Sequence, residues 1–225
     1  MKTTKNWTRR MVGLLLAFTL ISTCLFAGTL AKYVTSASGS DTARVAKWGV
    51  AIDASAVDGL FKTTYAKDDS SYTLTADTVI SSNSDKLVAP GTTGAMAGLS
   101  ITGVPEVASR VSISVDTTAS VLTGWFDASN APYEPVLWTL KNGSGAVVGG
   151  ASDVSFADLK TALNGVSVDL PPNTDLAASD LGYAVSWRWP FSTSSGNDIK
   201  DTFLGNKVPA PTITLKFDVT VTQID

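Results

Sequence analysis

Acidic side chains are the main candidates for chemistry in this sequence, because it contains no histidine. Without an imidazole there is no Ser-His-Asp or Cys-His catalytic pair and no HExxH zinc site. Two carboxylates can act as general acid and general base in glycoside hydrolysis, and the candidate pairs are Asp68-Asp69 and Asp116-Asp127. No motif places any two of them at a working separation. We therefore expect solvated surface carboxylates and a protein that is not an enzyme.

A second polar cluster could offer oxygen ligands to a metal ion. Asn197, Asp198 and Asp201 lie close together in the sequence, and calcium binds carboxylate and amide oxygens. The spacing lacks the central glycine and the final glutamate of an EF-hand loop. We expect solvated turn residues here, and neither a metal nor a cofactor in the protein.

Three aromatic residues could stack on the rings of a sugar. Tyr183, Trp187 and Trp189 occupy alternate positions of one segment, so they point to one side of a strand. Val185 and Phe191 share that side. Apolar neighbours of this kind are typical of a face that packs in the core, so we expect core packing rather than a binding platform.

The elements that must position these residues are predicted to be strands. Large apolar residues alternate with small or polar residues at a period of two, which indicates half-buried strands. Two sheets packed face to face would bury such strands, so we expect an all-β, jelly-roll-like antiparallel β-sandwich with one or two short helices. The alternating segments run from Tyr183 to Phe191, Ile213 to Val221, Val111 to Val115, Ala46 to Ile52 and Val136 to Leu140.

One short helix is predicted from Phe156 to Asn164, where apolar residues recur at helical spacing. Ser155 is a suitable N-cap, and Gly165 is expected to end the helix in a left-handed conformation. The stretch from Ser192 to Asn197 carries the residues of a turn.

The first 31 residues have the layout of a cleavable signal-peptide helix. Four basic residues precede an apolar run from Met11 to Ala27. Thr29 and Ala31 are the small residues at positions −3 and −1 of a cleavage site, so the mature chain would begin at Lys32. We therefore expect a secreted protein that acts in the extracellular matrix or at the cell surface.

The charge of the mature chain limits the classes of partner that it can bind, and the cysteine content bears on how it could be attached to a membrane. Removal of the leader takes four of the 17 basic residues and none of the 20 acidic ones, which leaves a net charge of −7. This charge argues against binding to nucleic acid or to an anionic membrane, so membrane contact is expected only through the uncleaved leader. The single cysteine, Cys24, lies in the leader, and Ile21 to Cys24 also resembles a lipidation site loosely.

The N-terminal region after the leader can pair in two ways. Residues 35–42 are rich in Ser, Ala and Gly, and they lead into the alternating segment that ends at Ile52. Such a strand can add to its own sheet or to the sheet of a neighbouring molecule. We divide the chain into a leader of residues 1–31, an arm and possible donor strand of residues 32–52, and a β-sandwich of residues 53–225. The proposed donor residues are Tyr33, Ala43, Val45, Ala46, Trp48, Val50 and Ile52.

The order of several motifs resembles the TasA/camelysin-like family of Gram-positive secreted matrix proteins, which carry a SipW-type signal peptide. The leader junction, the first strand and an L-x-P-G-like turn come first, and three segments near the C-terminus follow. The matching segments are Gly28 to Tyr33, Ala43 to Trp48, Leu87 to Gly91, Trp187 to Phe191, Asp201 to Gly205 and Val219 to Gln223.

The resemblance implies a jelly-roll subunit of an extracellular fibre, in which the N-terminal strand of one subunit completes the sheet of the next. The donor would be Lys32 to about Ile52, freed when a SipW-type signal peptidase removes the leader. Its partners would be further copies of itself and an accessory matrix protein. Some members of the group are described as metalloproteases, an activity that this histidine-free sequence does not support. The resemblance does not locate the acceptor edge.

Two other functions stay open at this point. A monomeric exported adhesin or glycan-binding module would use the aromatic residues around Trp187 and Trp189. An exported hydrolase would need a mechanism based on carboxylates, lysine or tyrosine alone.

Overall fold

A computed structural model describes residues 4–29, 42–53, 55–65, 79–191 and 195–224 of the chain. The chain forms two compact units, one that ends at Arg44 and one that begins at Val45. The described part of the second unit is mostly β-strands in small antiparallel sheets, so the expected all-β character with few helices is confirmed at this level.

The first unit contains one helix, α1 (Thr4–Thr29). Its middle is apolar and exposed on all sides, as Leu15 and Phe18 show. The hydroxyl groups of Thr19 and Ser22 donate hydrogen bonds to backbone carbonyls of the preceding turn, so both polar groups have partners within the helix. Within the described ranges, no helix combines the length and the apolar character that a membrane span requires.

The second unit contains twelve short strands and two α-helices among the described residues. A short 3₁₀ helix at Ser55–Gly59 follows the first strand. In chain order the elements are β1 (Ala51–Asp53), β2 (Thr64–Tyr65), β3 (Val79–Ile80), β4 (Thr93–Ala95), β5 (Ser100–Thr102), β6 (Ser109–Val115), β7 (Leu122–Thr123), β8 (Leu137–Lys141), α2 (Phe156–Asn164), β9 (Ser167–Leu170), β10 (Ala184–Arg188), α3 (Ser195–Gly205), β11 (Thr212–Ile213) and β12 (Phe217–Gln223).

Two three-stranded sheets form the body of the second unit. One has the order β4-β10-β8 and the other β12-β6-β9, and neighbouring strands in both are antiparallel. The pairs β1–β5, β2–β3 and β7–β11 make two-stranded sheets. In the first large sheet Trp187 lies opposite Trp138, and in the second Val219 lies opposite Ile113.

The period-two pattern places alternate residues of the central strands in the core, as the sequence predicted. In β6 the buried residues Val111 and Ile113 alternate with the less buried Ser112 and Ser114. The core also contains Val136, Trp138 and Leu140 around β8, and Tyr183, Val185, Trp187 and Trp189 around β10. Burial of each such side chain stabilises the fold by roughly 1.5–3 kcal/mol.

Helix α2 has the predicted bounds and N-cap, but its predicted C-terminal conformation is wrong. Ser155 Oγ accepts a hydrogen bond from the backbone N–H of Asp158 at 3.2 Å. Gly165 has a φ of −78°, which is right-handed, and its N–H bonds to carbonyls of the last helical turn. The chain therefore leaves the helix through a right-handed turn and enters β9 two residues later.

Three further predictions about local structure need correction. The strand predicted from Ala46 to Ile52 is limited to β1, because Gly49 has a φ of +56° and interrupts the extended chain. Phe191 is 60% exposed rather than buried, because β10 ends before Pro190, which has no N–H to donate. The turn predicted up to Asn197 overlaps the start of α3.

We expect Trp187→Ala to lower the free energy of unfolding by about 3–5 kcal/mol, as large aromatic truncations in a core do. Trp187 is 2% exposed, its indole N–H donates to the Leu60 carbonyl at 2.9 Å, and its ring packs against Phe61 and Tyr65. Urea denaturation of the variant and the parent chain measures the change.

Phe191→Ala is the matched control, since it removes an aromatic side chain from the same segment of the chain but at an exposed position, shortly after the end of β10. Its effect should stay within about 0.5 kcal/mol, as at most surface positions. Equal stability of the Trp187 variant and the parent chain would contradict the buried position.

Candidate functional site

The residues predicted for signal cleavage lie at the edge of the described chain. Thr29 is the last residue of α1. Ala31, Lys32 and the donor residue Tyr33 lie outside the described residues, so their arrangement stays a prediction.

Residues 42–50, the described first part of the proposed donor segment, contain no strand. Val45 is 92% exposed, and Trp48 is 37% exposed. Ala43 and Ala46 are exposed as well, whereas Val50 is half-buried against the core. Val45 and Trp48 therefore expose apolar side-chain surface to solvent.

The segment is held to its own chain near Lys47. The Lys47 N–H donates to the Glu106 carboxylate at 2.8 Å, and the Lys47 carbonyl accepts from the Glu106 N–H at 2.9 Å. Directly after Gly49 the chain passes very close to Gly103, since a Cβ on Gly103 would lie 2.3 Å from the Gly49 carbonyl oxygen. Only glycine fits at position 103.

The last three residues of the predicted arm pair within the same chain. Strand β1 places Ile52 opposite Ile101 of β5, with Ala51 opposite Thr102 and Asp53 opposite Ser100. Ile52 is still 39% exposed in this position. The structure therefore divides the described part of the proposed donor into a paired end, β1, and the exposed residues 42–49, joined by the half-buried Val50.

Strand β12 has a free edge in the described part of the chain. It pairs with β6 on one side, and no described strand pairs with it on the other. At the two ends of the β12–β6 ladder, the Asp116 N–H donates to the Lys216 carbonyl, and the Ile224 N–H donates to the Ala108 carbonyl. Hydrogen-bonded pairs recur at every second residue of an antiparallel ladder, so the backbone N–H and C=O groups of the even-numbered residues of β12 point toward β6. The odd-numbered residues of β12, which begin with Phe217, therefore turn their N–H and C=O groups toward the free edge.

The proposed aromatic platform is buried. Trp187 is 2% exposed and Trp189 is 5% exposed, and the Trp189 ring packs on Trp125 at 5.5 Å between centroids. The interpretation of these residues as core is confirmed. A glycan-binding module would need a different exposed surface.

Of the carboxylate pairs considered for glycoside hydrolysis, the described pair, Asp116 and Asp127, is not suited to acid–base chemistry. Asp68-Asp69 lies outside the described residues. The backbone N–H of Ala119 and the Lys216 ammonium lower the pKa of Asp116. The Ala131 N–H and Lys200 lower the pKa of Asp127 in the same way. A general acid needs a raised pKa, so both residues are suited to holding turns and ion pairs rather than to donating a proton.

The residues considered for calcium lie on a helix and not in a loop. Asn197, Asp198 and Asp201 belong to α3, and Asp201 is only 8% exposed, so the prediction of a solvated turn is wrong for it. Across the described ranges, no group of three or more potential ligand residues could hold a metal ion.

Asp201 is a buried carboxylate whose role the sequence did not indicate. It accepts a hydrogen bond from the Tyr133 hydroxyl at 2.8 Å. Burial raises its pKa, although the Tyr133 hydroxyl and the nearby Trp189 indole favour the charged form and oppose this shift. The helical spacing of Asp201 and Leu204, which is 2% exposed, is the signal that would have placed both on one buried face.

An apolar groove with a volume of about 530 Å³ includes Trp189 in its lining. Trp125, Leu204, Pro211 and Ile213 also contribute to its walls. Such a lining can hold an apolar side chain, but it offers few groups for chemistry.

Comparisons with protein-family models, with curated proteins and with solved structures found no match to this chain. The family resemblance of the leader junction and the strand motifs therefore stays a prediction.

The raised pKa of Asp201 gives a test of its buried position. The folded protein binds the Asp201 proton more tightly than the unfolded chain, so the parent gains stability as the pH falls from neutral toward the ordinary aspartate value of 3.8. Asp201→Asn cannot make this gain. The stability of Asp201→Asn relative to the parent should therefore decrease on acidification, measured by urea denaturation from neutral pH to about pH 4.

Asp169→Asn is the control with the opposite sign. The Arg110 guanidinium lowers the pKa of Asp169, so the parent keeps this contribution down to about the ordinary aspartate value of 3.8 and loses it below that pH; the series for this control is therefore extended below pH 4. If both variants changed in the same direction with pH, the assignment of Asp201 as a desolvated carboxylate would be wrong.

Proposed function

We propose that the protein is a secreted, non-enzymatic structural subunit of an extracellular fibre or biofilm matrix. Its two three-stranded sheets would form a jelly-roll-like sandwich, and each subunit would add its freed N-terminal segment as a strand to a neighbouring copy. Its partners are further copies of itself, an accessory matrix protein and, during export, a SipW-type signal peptidase.

The observation that carries the proposal is the exposed segment of residues 42–49. It follows the predicted cleavage site and precedes β1, and it presents Val45 and Trp48 to solvent. A segment that only connected a leader to a sheet would not need large apolar side chains. Because Val45 and Trp48 lie on opposite faces of an extended strand, pairing with a neighbour would bury the face that carries Trp48, and burial of one such side chain contributes roughly 1.5–3 kcal/mol.

The described acidic residues support a structural role. Asp153 forms a bidentate ion pair with Arg188, and Asp169 forms one with Arg110. Both pairs are about half exposed and contribute little to stability, but both carboxylates are engaged in contacts within the fold. A chain without histidine and with its carboxylates used in this way is suited to a building block.

Export should remove the leader between Ala31 and Lys32. We expect the chain collected from the culture medium of a secreting host to begin at Lys32 and to contain no cysteine, because Cys24 leaves with the leader. Intact mass and N-terminal sequencing measure this. Retention of Cys24 with an attached lipid would instead show a membrane-anchored protein and would contradict release into the matrix.

The fraction of the secreted chain that is assembled should increase with its concentration. Deletion of residues 32–48 should abolish this assembly. The deletion leaves Gly49 and the β1–β5 pair in place, so the body should keep its stability. Sedimentation velocity over a concentration series and electron microscopy measure assembly, and urea denaturation checks the fold.

A matched control replaces residues 32–48 with a Gly/Ser segment of the same length, which keeps the reach of the arm but removes its apolar side chains. Assembly of the deleted or the replaced chain to the length and yield of the parent would reject the donor segment. A parent chain that stays monomeric throughout would favour a monomeric adhesin or binding module.

A further inference from the structure

We propose that the free edge of β12 is the acceptor, and that residues 42–48 of a second copy pair with it. This inference rests on the proposed function and adds to it the location of the acceptor.

The backbone of β12 offers a continuous row of groups for a further strand. Because the even-numbered residues bond to β6, the N–H and C=O groups of the odd-numbered residues point to the free edge; these are Phe217, Val219, Val221 and Gln223. Seven residues of β12 pair with β6, so an added strand of about seven residues can follow its whole length. Residues 42–48 supply that number.

The inward side chains of β12 are incompletely covered. Phe217, Val219 and Val221 pack against the core but remain half-buried, whereas Val111 and Ile113 of the neighbouring strand are 0% and 3% exposed. The difference follows from position, since β6 has a strand on both sides and β12, among the described strands, has one on a single side. A strand that added Ala46 and Trp48 beside them would extend the same apolar face.

Other edges of the two large sheets are less suited to a new strand. The free side of β8 is covered by residues 146–154 of the same chain, which bond to Trp138 and Leu140. Strand β4 has three residues. Strand β9 has four and is followed by Pro171-Pro172, which cannot donate to a ladder. By contrast, β12 contains neither Lys nor Pro, which commonly protect an edge, and its one charged side chain is Asp218.

The arm would stay attached to its own subunit through β1 when residues 42–48 reach outward. Strand β1 stays paired with β5, and Gly49 with its φ of +56° supplies the change of direction. The two hydrogen bonds between Lys47 and Glu106 would be exchanged for bonds to β12. Charge is complementary as well: with Ala46 and Trp48 inward, Lys47 would lie on the outer face of the added strand, and the one charged side chain of β12, Asp218, lies on that same face.

Cysteine pairing tests the acceptor directly, because the chain secreted without its leader contains no native cysteine. Lys47→Cys chains are mixed with chains carrying Asp218→Cys, Thr220→Cys or Thr222→Cys, three exposed positions that sample different registers of β12. The matched control places the acceptor cysteine on the opposite edge strand, as Ser167→Cys in β9. After mild oxidation, non-reducing gels measure dimers formed between the two kinds of chain, and sedimentation measures assembly.

We expect at least one β12 position to give several-fold more mixed dimer than Ser167→Cys, with assembly unchanged. Normal assembly with mixed dimers mainly at Ser167, or at none of these positions, would overturn the β12 acceptor and leave the proposed function standing. Abundant disulfide dimers of Thr220→Cys chains alone would show pairing of β12 with itself and would also overturn the inference. Absence of assembly in every chain, the parent included, would overturn both proposals.

Discussion

The need of each sheet backbone group for a hydrogen-bond partner is the constraint on which this structure depends. Strand β6 meets it on both sides, through β12 and β9, and its Val111 and Ile113 are correspondingly well buried. Strand β12 meets it on one side within the described chain. The same geometry that completes the centre of the sheet thus leaves one row of donors and acceptors at its edge, and the proposed assembly would complete that row.

The core is held together without disulfides by packing of large side chains and by a few well-placed polar contacts. The rings of Trp138 and Phe156 lie 5.2 Å apart between centroids, which joins β8 to α2. The Trp187 indole bonds to the Leu60 carbonyl and so fixes the chain before β2 against β10. Gly94 allows this approach, since a Cβ there would lie 2.5 Å from both the Leu60 oxygen and the Trp187 Nε1.

Two buried polar side chains, Ser120 and Asp201, have hydrogen-bond partners that the fold supplies. Ser120 is fully buried, and its hydroxyl both donates to the Lys216 carbonyl and accepts from the Lys216 N–H, which joins the chain before β12 to the turn before β7. Asp201 has the Tyr133 hydroxyl as a partner but is still desolvated enough that burial raises its pKa. Hydrogen-bond partners reduce the free-energy cost of burying a carboxylate but do not remove it.

Sequence periodicity by itself determined the central strands, the inward side of β6, β8 and β10, and the bounds of α2, because alternation and helical spacing are local properties of the chain. The wrong predictions share a different cause. Gly165 ends α2 without a left-handed turn, Phe191 faces solvent, and Asp201 is buried, since each of these outcomes depends on which distant segment packs there. The free edge of β12 is likewise a property of the tertiary structure. A strand shows in its own residues which face is apolar, but only the arrangement of the other strands decides which of its backbone groups remain without a partner.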